Sequence, residues 1–124
     1  AAGSLSSTVV NNDALRGSEV GNLFLGVLLE AIGTFVFLFA VLAITAKKEN
    51  GPIAGLAIGA ALWLSIAILF NLTGGSLNPA RSLGTALVAL FNGETTPIAQ
   101  IWVYIFGPLL GGAGAAFAFR LFSK

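Results

Sequence analysis

The reading of the whole chain turns on residues 73–81, Thr-Gly-Gly-Ser-Leu-Asn-Pro-Ala-Arg, which interrupt two apolar runs. Two adjacent glycines halt a helix. Asn78 followed by Pro79 has the form of an N-cap with proline at the first helical position. A new apolar helix therefore starts at Pro79 and ends near Phe91. About 13 residues at about 1.5 Å each reach roughly 20 Å, too short to cross a hydrocarbon core of about 30 Å. Residues 73–91 thus read as a broken loop followed by a half-helix or an interfacial segment.

Outward from that segment lie runs of spanning length. Residues 53–72 carry no charge, and Gly55 and Gly59 stand there at GxxxG spacing, which lets a neighbouring helix approach closely. Residues 47–52, KKENGP, form a short charged loop whose proline can open that helix. Residues 23–46 make another span, interrupted only by Glu30. A carboxylate inside a span costs roughly 2.5–3.5 kcal/mol on insertion scales, so it is expected to be functional or paired. After a loop at 92–96, residues 97–122 give a third span with Pro108 and the cluster Gly107, Gly111, Gly112 and Gly114. Trp102 and Tyr104, near its start, either sit at an interface or pack. Residues 1–22 are rich in Ser, Asn and charge with no apolar period, and read as an outer loop. An apolar-leaning start running straight into a polar loop is expected of a chain that begins within a longer protein.

Composition agrees with this layout. The 124 residues include 6 basic and 5 acidic side chains, so 9% are charged, against about 25% in soluble domains. Hydrophobic residues make up 56%, and the mean hydropathy is +0.94. Disorder, a basic nucleic-acid-binding module and a disulfide-stapled domain are excluded. What remains is an all-α integral membrane protein with three transmembrane helices and one re-entrant half-helix. With no Cys and no His, thiol and imidazole chemistry and the metal sites built on them are unavailable, so neither enzyme activity nor a cofactor is expected. A net charge of +1 does not call for a nucleic-acid partner. Lys47 and Lys48 follow the first span, while Arg120 and Lys124 follow the third, which puts all four on one side. The positive-inside rule makes that side, and the carboxy terminus, cytoplasmic, in a multi-pass protein of the plasma or cytoplasmic membrane. The half-helix then enters from outside.

Irregular backbone at membrane depth must be buried in protein or line a wet cavity, because hydrocarbon cannot satisfy its polar groups. The carbonyls of Gly74, Gly75 and Ser76 are candidate acceptors facing a pore. The start of the half-helix carries about half a positive elementary charge, Asn78 adds an amide donor, and Arg81 adds a fixed cation one turn on. Donors on one wall and acceptors along another describe a path for neutral hydroxyl-bearing molecules that repels cations. The plainer alternative for Arg81 is snorkelling from an interfacial helix. For Ile66 it is a lipid- or core-facing aliphatic.

TGGSLNPARS, after a helix containing LAIG and before GTALVAL, resembles the second NPA motif of the aquaporin and aquaglyceroporin (major intrinsic protein) family. The order of elements is similar too: a span with an early Glu, a short basic loop, a span, NPAR, and a Gly-rich last span with a GP pair. The resemblance covers essentially the whole chain, but only the carboxy-terminal half of such a protein, whose fold is an inverted repeat with the pore between its halves. It implies that Asn78, Pro79 and Ala80 form the NPA motif, with Asn78 donating to the passing molecule. Arg81, Ile66 and Gly75 fall at the selectivity filter. Glu30 would accept hydrogen bonds from the loop before the half-helix as structural support. Strictly water-selective members generally hold His where Ile66 stands, which implies a wider, more apolar filter. Glycerol-conducting members usually hold Asp at Ser82 and a basic residue at Ala86, so those two positions look water-like. Some members carry a mercury-sensitive Cys at the position of Gly75, so insensitivity to mercurials is expected from this half.

The resemblance implies a passive channel for water, and for other small neutral solutes such as glycerol, that excludes ions and protons. This chain would need the amino-terminal half, from the same polypeptide or a separate chain, and complete channels would form homotetramers in the lipid bilayer. Two other readings stand beside it: a secondary transporter with a broken-helix substrate site, and a non-conducting membrane assembly subunit.

Overall fold

Ser18 opens the first long helix. Its side chain accepts a hydrogen bond from the Gly21 amide at 3.0 Å, and Glu19 follows at the positive end of the helix dipole. In the computed structural model, which describes residues 9–15 and 17–122, α1 is a single turn over Asn12–Leu15 and α2 runs over Glu19–Thr45. α2 therefore begins inside the stretch read as an outer loop through residue 22. The polar residues that hid this start are its capping set. Asn22 is buried, accepts from the Gly17 amide and donates to the Gly17 carbonyl and the Asn12 side chain.

A 3-10 turn at Lys48–Asn50 leads into α3, Gly51–Thr73, with Pro52 in its first turn. α4 covers Pro79–Phe91, α5 is a short turn at Thr96–Ala99, and α6 covers Ile101–Phe122. The third span, expected as one piece over 97–122, is thus broken at Gln100. That side chain is turned aside to accept the Val10 amide at 2.7 Å, tying the leading segment to the bundle. The architecture is all-α, with three helices long and apolar enough to cross a membrane and one shorter apolar helix.

α2 is the centre of the bundle. Its contacts with α6 run in register, from Phe24 on Trp102 to Phe39 on Phe119 and Phe122, so the two helices are parallel. Close approach is made at Gly107 and Gly111 of α6. A Cβ on Gly107 would lie 2.7 Å from Glu30 Cβ, and one on Gly111 would lie 2.9 Å from Thr34 Cβ. α3 crosses α2 in the opposite sense, with Gly33 against Leu69 and Gly26 near Thr73. Two parallel helices place the Lys47–Lys48 turn and Arg120 at the same end of the molecule. Tyr104 is fully buried, in one cluster with Val10 and Val103, which corrects the option that it sits at an interface. Gly55 and Gly59 of α3 meet nothing within 4 Å among the described residues, and Leu56 and Trp63 beside them are exposed.

Candidate functional site

Glu30 sits on α2 with no exposed surface, facing the loop between α3 and α4. Its Oε1 accepts from the Thr73 hydroxyl at 2.8 Å and the Ser76 amide at 3.0 Å, and its Oε2 accepts from the Leu77 amide at 2.9 Å. These charge-assisted bonds offset the desolvation of a buried carboxylate. The Tyr104 hydroxyl, from α6, donates to the Thr73 carbonyl at 2.6 Å. Three elements therefore converge on the end of α3.

The loop is shaped by three residues with positive φ: Gly74 at 86°, Gly75 at 66° and Leu77 at 57°. Gly74 caps α3 in the left-handed conformation and returns its amide to the Phe70 carbonyl. A leucine in that region is unusual and costs roughly 1–2 kcal/mol. Leu77 is held there by its bond to Glu30, with its buried side chain against Gly33.

All peptide bonds here are trans, so the carbonyl of each peptide unit points opposite to the amide of the next residue. The Ser76 and Leu77 amides point at Glu30; the Gly75 and Ser76 carbonyls therefore point away from α2. The Gly74 carbonyl likewise opposes the Gly75 amide, which faces the Thr73 hydroxyl at 3.5 Å. No backbone amide among the described residues donates to these three carbonyls.

Asn78 caps α4, its Oδ1 accepting from the Ala80 amide at 2.8 Å and the Arg81 amide at 3.4 Å. With the oxygen committed, the exposed face of the side chain presents its NH2 donor. Pro79 is the first residue of α4, and Ala80 is exposed beside it. Arg81 is half-buried, and its Nη1 is buried without a hydrogen-bond partner among the described residues. Ile66 and Gly75, 9 positions apart in the numbering, are brought into contact: a Cβ on Gly75 would lie 3.2 Å from the Ile66 Cα, carbonyl oxygen and Cγ2.

The sequence reading missed Thr73, Tyr104 and the hydroxyls of Ser76 and Ser82 as parts of this site. Thr73, Ser76 and Ser82 lie within TGGSLNPARS itself, small polar groups in an otherwise apolar chain, whereas Tyr104 carries no such signal. Polar groups at such depth need partners.

The family model for major intrinsic proteins matches residues 4–119. The chain belongs to the major intrinsic protein family. It is 42% identical over 106 residues to aquaporin NIP1-1 of Zea mays, an alignment covering 85% of this chain and 34% of that protein. It is 44% identical over 94 residues to glycerol uptake facilitator protein-like 6 of Lactiplantibacillus plantarum, covering 75% of this chain and 42% of the relative. A probable aquaporin of TIP type, RB7-18C of Nicotiana tabacum, is 42% identical over 101 residues, covering 79% and 38%. This major intrinsic protein chain thus spans from about a third to two fifths of the length of these relatives. With its three long apolar helices it is an integral membrane protein.

Proposed function

We propose that this chain forms one wall of a passive transmembrane channel for water and other small neutral solutes such as glycerol, excluding ions and protons and catalysing no reaction. The observation that carries the proposal is the loop at 73–78, whose Ser76 and Leu77 amides are gathered by Glu30 while three carbonyls turn the opposite way and the Asn78 side-chain oxygen caps α4. A single file of molecules would pass from the carbonyls of Gly74, Gly75 and Ser76 to the Asn78 donor. Arg81 and the positive end of α4 would repel cations. Ile66, Gly75 and Arg81 would form this chain's share of the selectivity filter, and Ser82 and Ala86 favour water as the main solute.

The opposite wall would come from an amino-terminal half, on the same polypeptide or a separate one. An Arg81 Nη1 without a partner among the described residues, and the Gly55/Gly59 face of α3 left open by them, support such a neighbour. Complete channels would assemble as homotetramers in the lipid bilayer, with no nucleic-acid partner. Lys47, Lys48, Arg120 and the carboxy terminus would face the cytoplasm, at the plasma or cytoplasmic membrane.

Stopped-flow light scattering on proteoliposomes tests this, comparing osmotic water and glycerol permeability for this chain with and without an amino-terminal half. Conduction only with both halves is the expected result. Uptake dependent on a proton or sodium gradient would instead favour a secondary transporter, and no conduction in either case a non-conducting assembly subunit.

A further inference from the structure

Building on the channel reading, we propose that Ser82 is a positioning residue for Asn78, acting through the hydroxyl of Ser76. Ser82 and Ser76 retain only 1% and 5% of their surface exposure. The Ser82 hydroxyl lies 2.6 Å from the Ser76 hydroxyl, which lies 2.7 Å from the Asn78 carbonyl and 3.3 Å from the Asn78 amide. The protons of this relay can be traced back from its last acceptor. A serine hydroxyl has one proton and two acceptor lone pairs. The Asn78 carbonyl has no proton to give, so the Ser76 proton goes to it. Ser82 must then donate to Ser76, whose second lone pair takes the Asn78 amide. All three hydrogen-bonding positions of the Ser76 hydroxyl are filled.

The relay completes a clamp on a residue whose side chain is exposed. The Asn78 carbonyl also accepts the Ser82 amide at 3.3 Å, and its Oδ1 is held by the Ala80 and Arg81 amides. Only Nδ2 is left to meet a solute, aimed by constraints on both sides of its Cα. Removing the Ser82 hydroxyl leaves Ser76 short of a donor and free to turn. The Asn78 donor then spreads over more directions, and each passing molecule must order it anew.

The test uses the channel assembled from this chain and its complementary half, in proteoliposomes with the amount of channel per vesicle quantified. Water permeability per channel and its activation energy are measured for Ser82→Ala, Ser82→Cys, Ser76→Ala and the Ser76→Ala/Ser82→Ala pair. Cys matches the shape of Ser but is a weak donor, so it separates hydrogen bonding from space filling. The expected result is a fall of roughly twofold to tenfold in each single variant, the range spanned by one hydrogen bond. The activation energy rises, and the pair loses no more than either serine alone. Ser82→Cys at the unmodified permeability and activation energy overturns the proposal. So does a double variant whose loss is the product of the single ones. A conducting channel indifferent to Ser82 removes this proposal alone, whereas an unmodified channel that does not conduct removes the channel reading with it.

Discussion

Glu30 receives its three hydrogen bonds from neutral donors, and each fixes a different atom of the loop. Glu30→Gln keeps the size of the side chain but turns one acceptor oxygen into an NH2 facing an amide or hydroxyl that also needs an acceptor. A buried donor left unsatisfied costs about 1–3 kcal/mol. The expected outcome is a thermal unfolding midpoint lowered in detergent, with conduction lost in parallel. Arg81 is a different case, since its buried Nη1 makes no bond within the described residues. Arg81→Val should leave folding nearly unchanged while relaxing exclusion of ions or larger solutes, read as ion conductance and glycerol flux in the assembled channel. An unchanged permeability profile would remove Arg81 from the filter.

The helices divide into contacts already made and faces still open. α6 approaches α2 at Gly107 and Gly111, where even a Cβ would collide with the other helix. Gly111→Leu should therefore destabilise this chain by overpacking, by about 1–3 kcal/mol or more, measured as unfolding in detergent. A Cβ on Gly59 would meet nothing within 4 Å among the described residues. Gly59→Leu should leave the unfolding of this chain unchanged and lower its affinity for an amino-terminal half, measured by co-purification. Equal tolerance of both substitutions would argue against a helix docking on the open α3 face. α4, at 13 residues, is about 20 Å long. It cannot cross a bilayer, so its start is held by the loop's hydrogen bonds to Glu30 and by the Asn78 cap.

For the molecule as a whole, parallel α2 and α6 with α3 running back between their ends make sidedness a geometric matter. Lys48 and Arg120 share one end, and Glu94, in the turn before α5, lies at the other. Because the chain has no Cys, single-cysteine variants give a clean test. Lys48→Cys and Arg120→Cys should react with a membrane-impermeant maleimide from the same side, and Glu94→Cys from the opposite side. Labelling of Lys48→Cys and Arg120→Cys from different sides would overturn the arrangement.

Sequence alone determined the class, the three long apolar helices and the short one, because apolar runs of spanning length and a Gly-Gly/Asn-Pro break are local properties. It also pointed to Glu30, since a carboxylate in such a run demands partners. Which partners it finds was decided by tertiary structure: Thr73, Ser76 and Leu77 lie 43 to 47 positions away. The start of α2 was hidden because its polar residues, Ser18 and Asn22, cap and tie a helix rather than solvate a loop. The burial of Tyr104, the contact of Ile66 with Gly75 and the open face of Gly55 and Gly59 were equally illegible. Each depends on which helix lies opposite, and residue spacing within one helix carries no record of its neighbour.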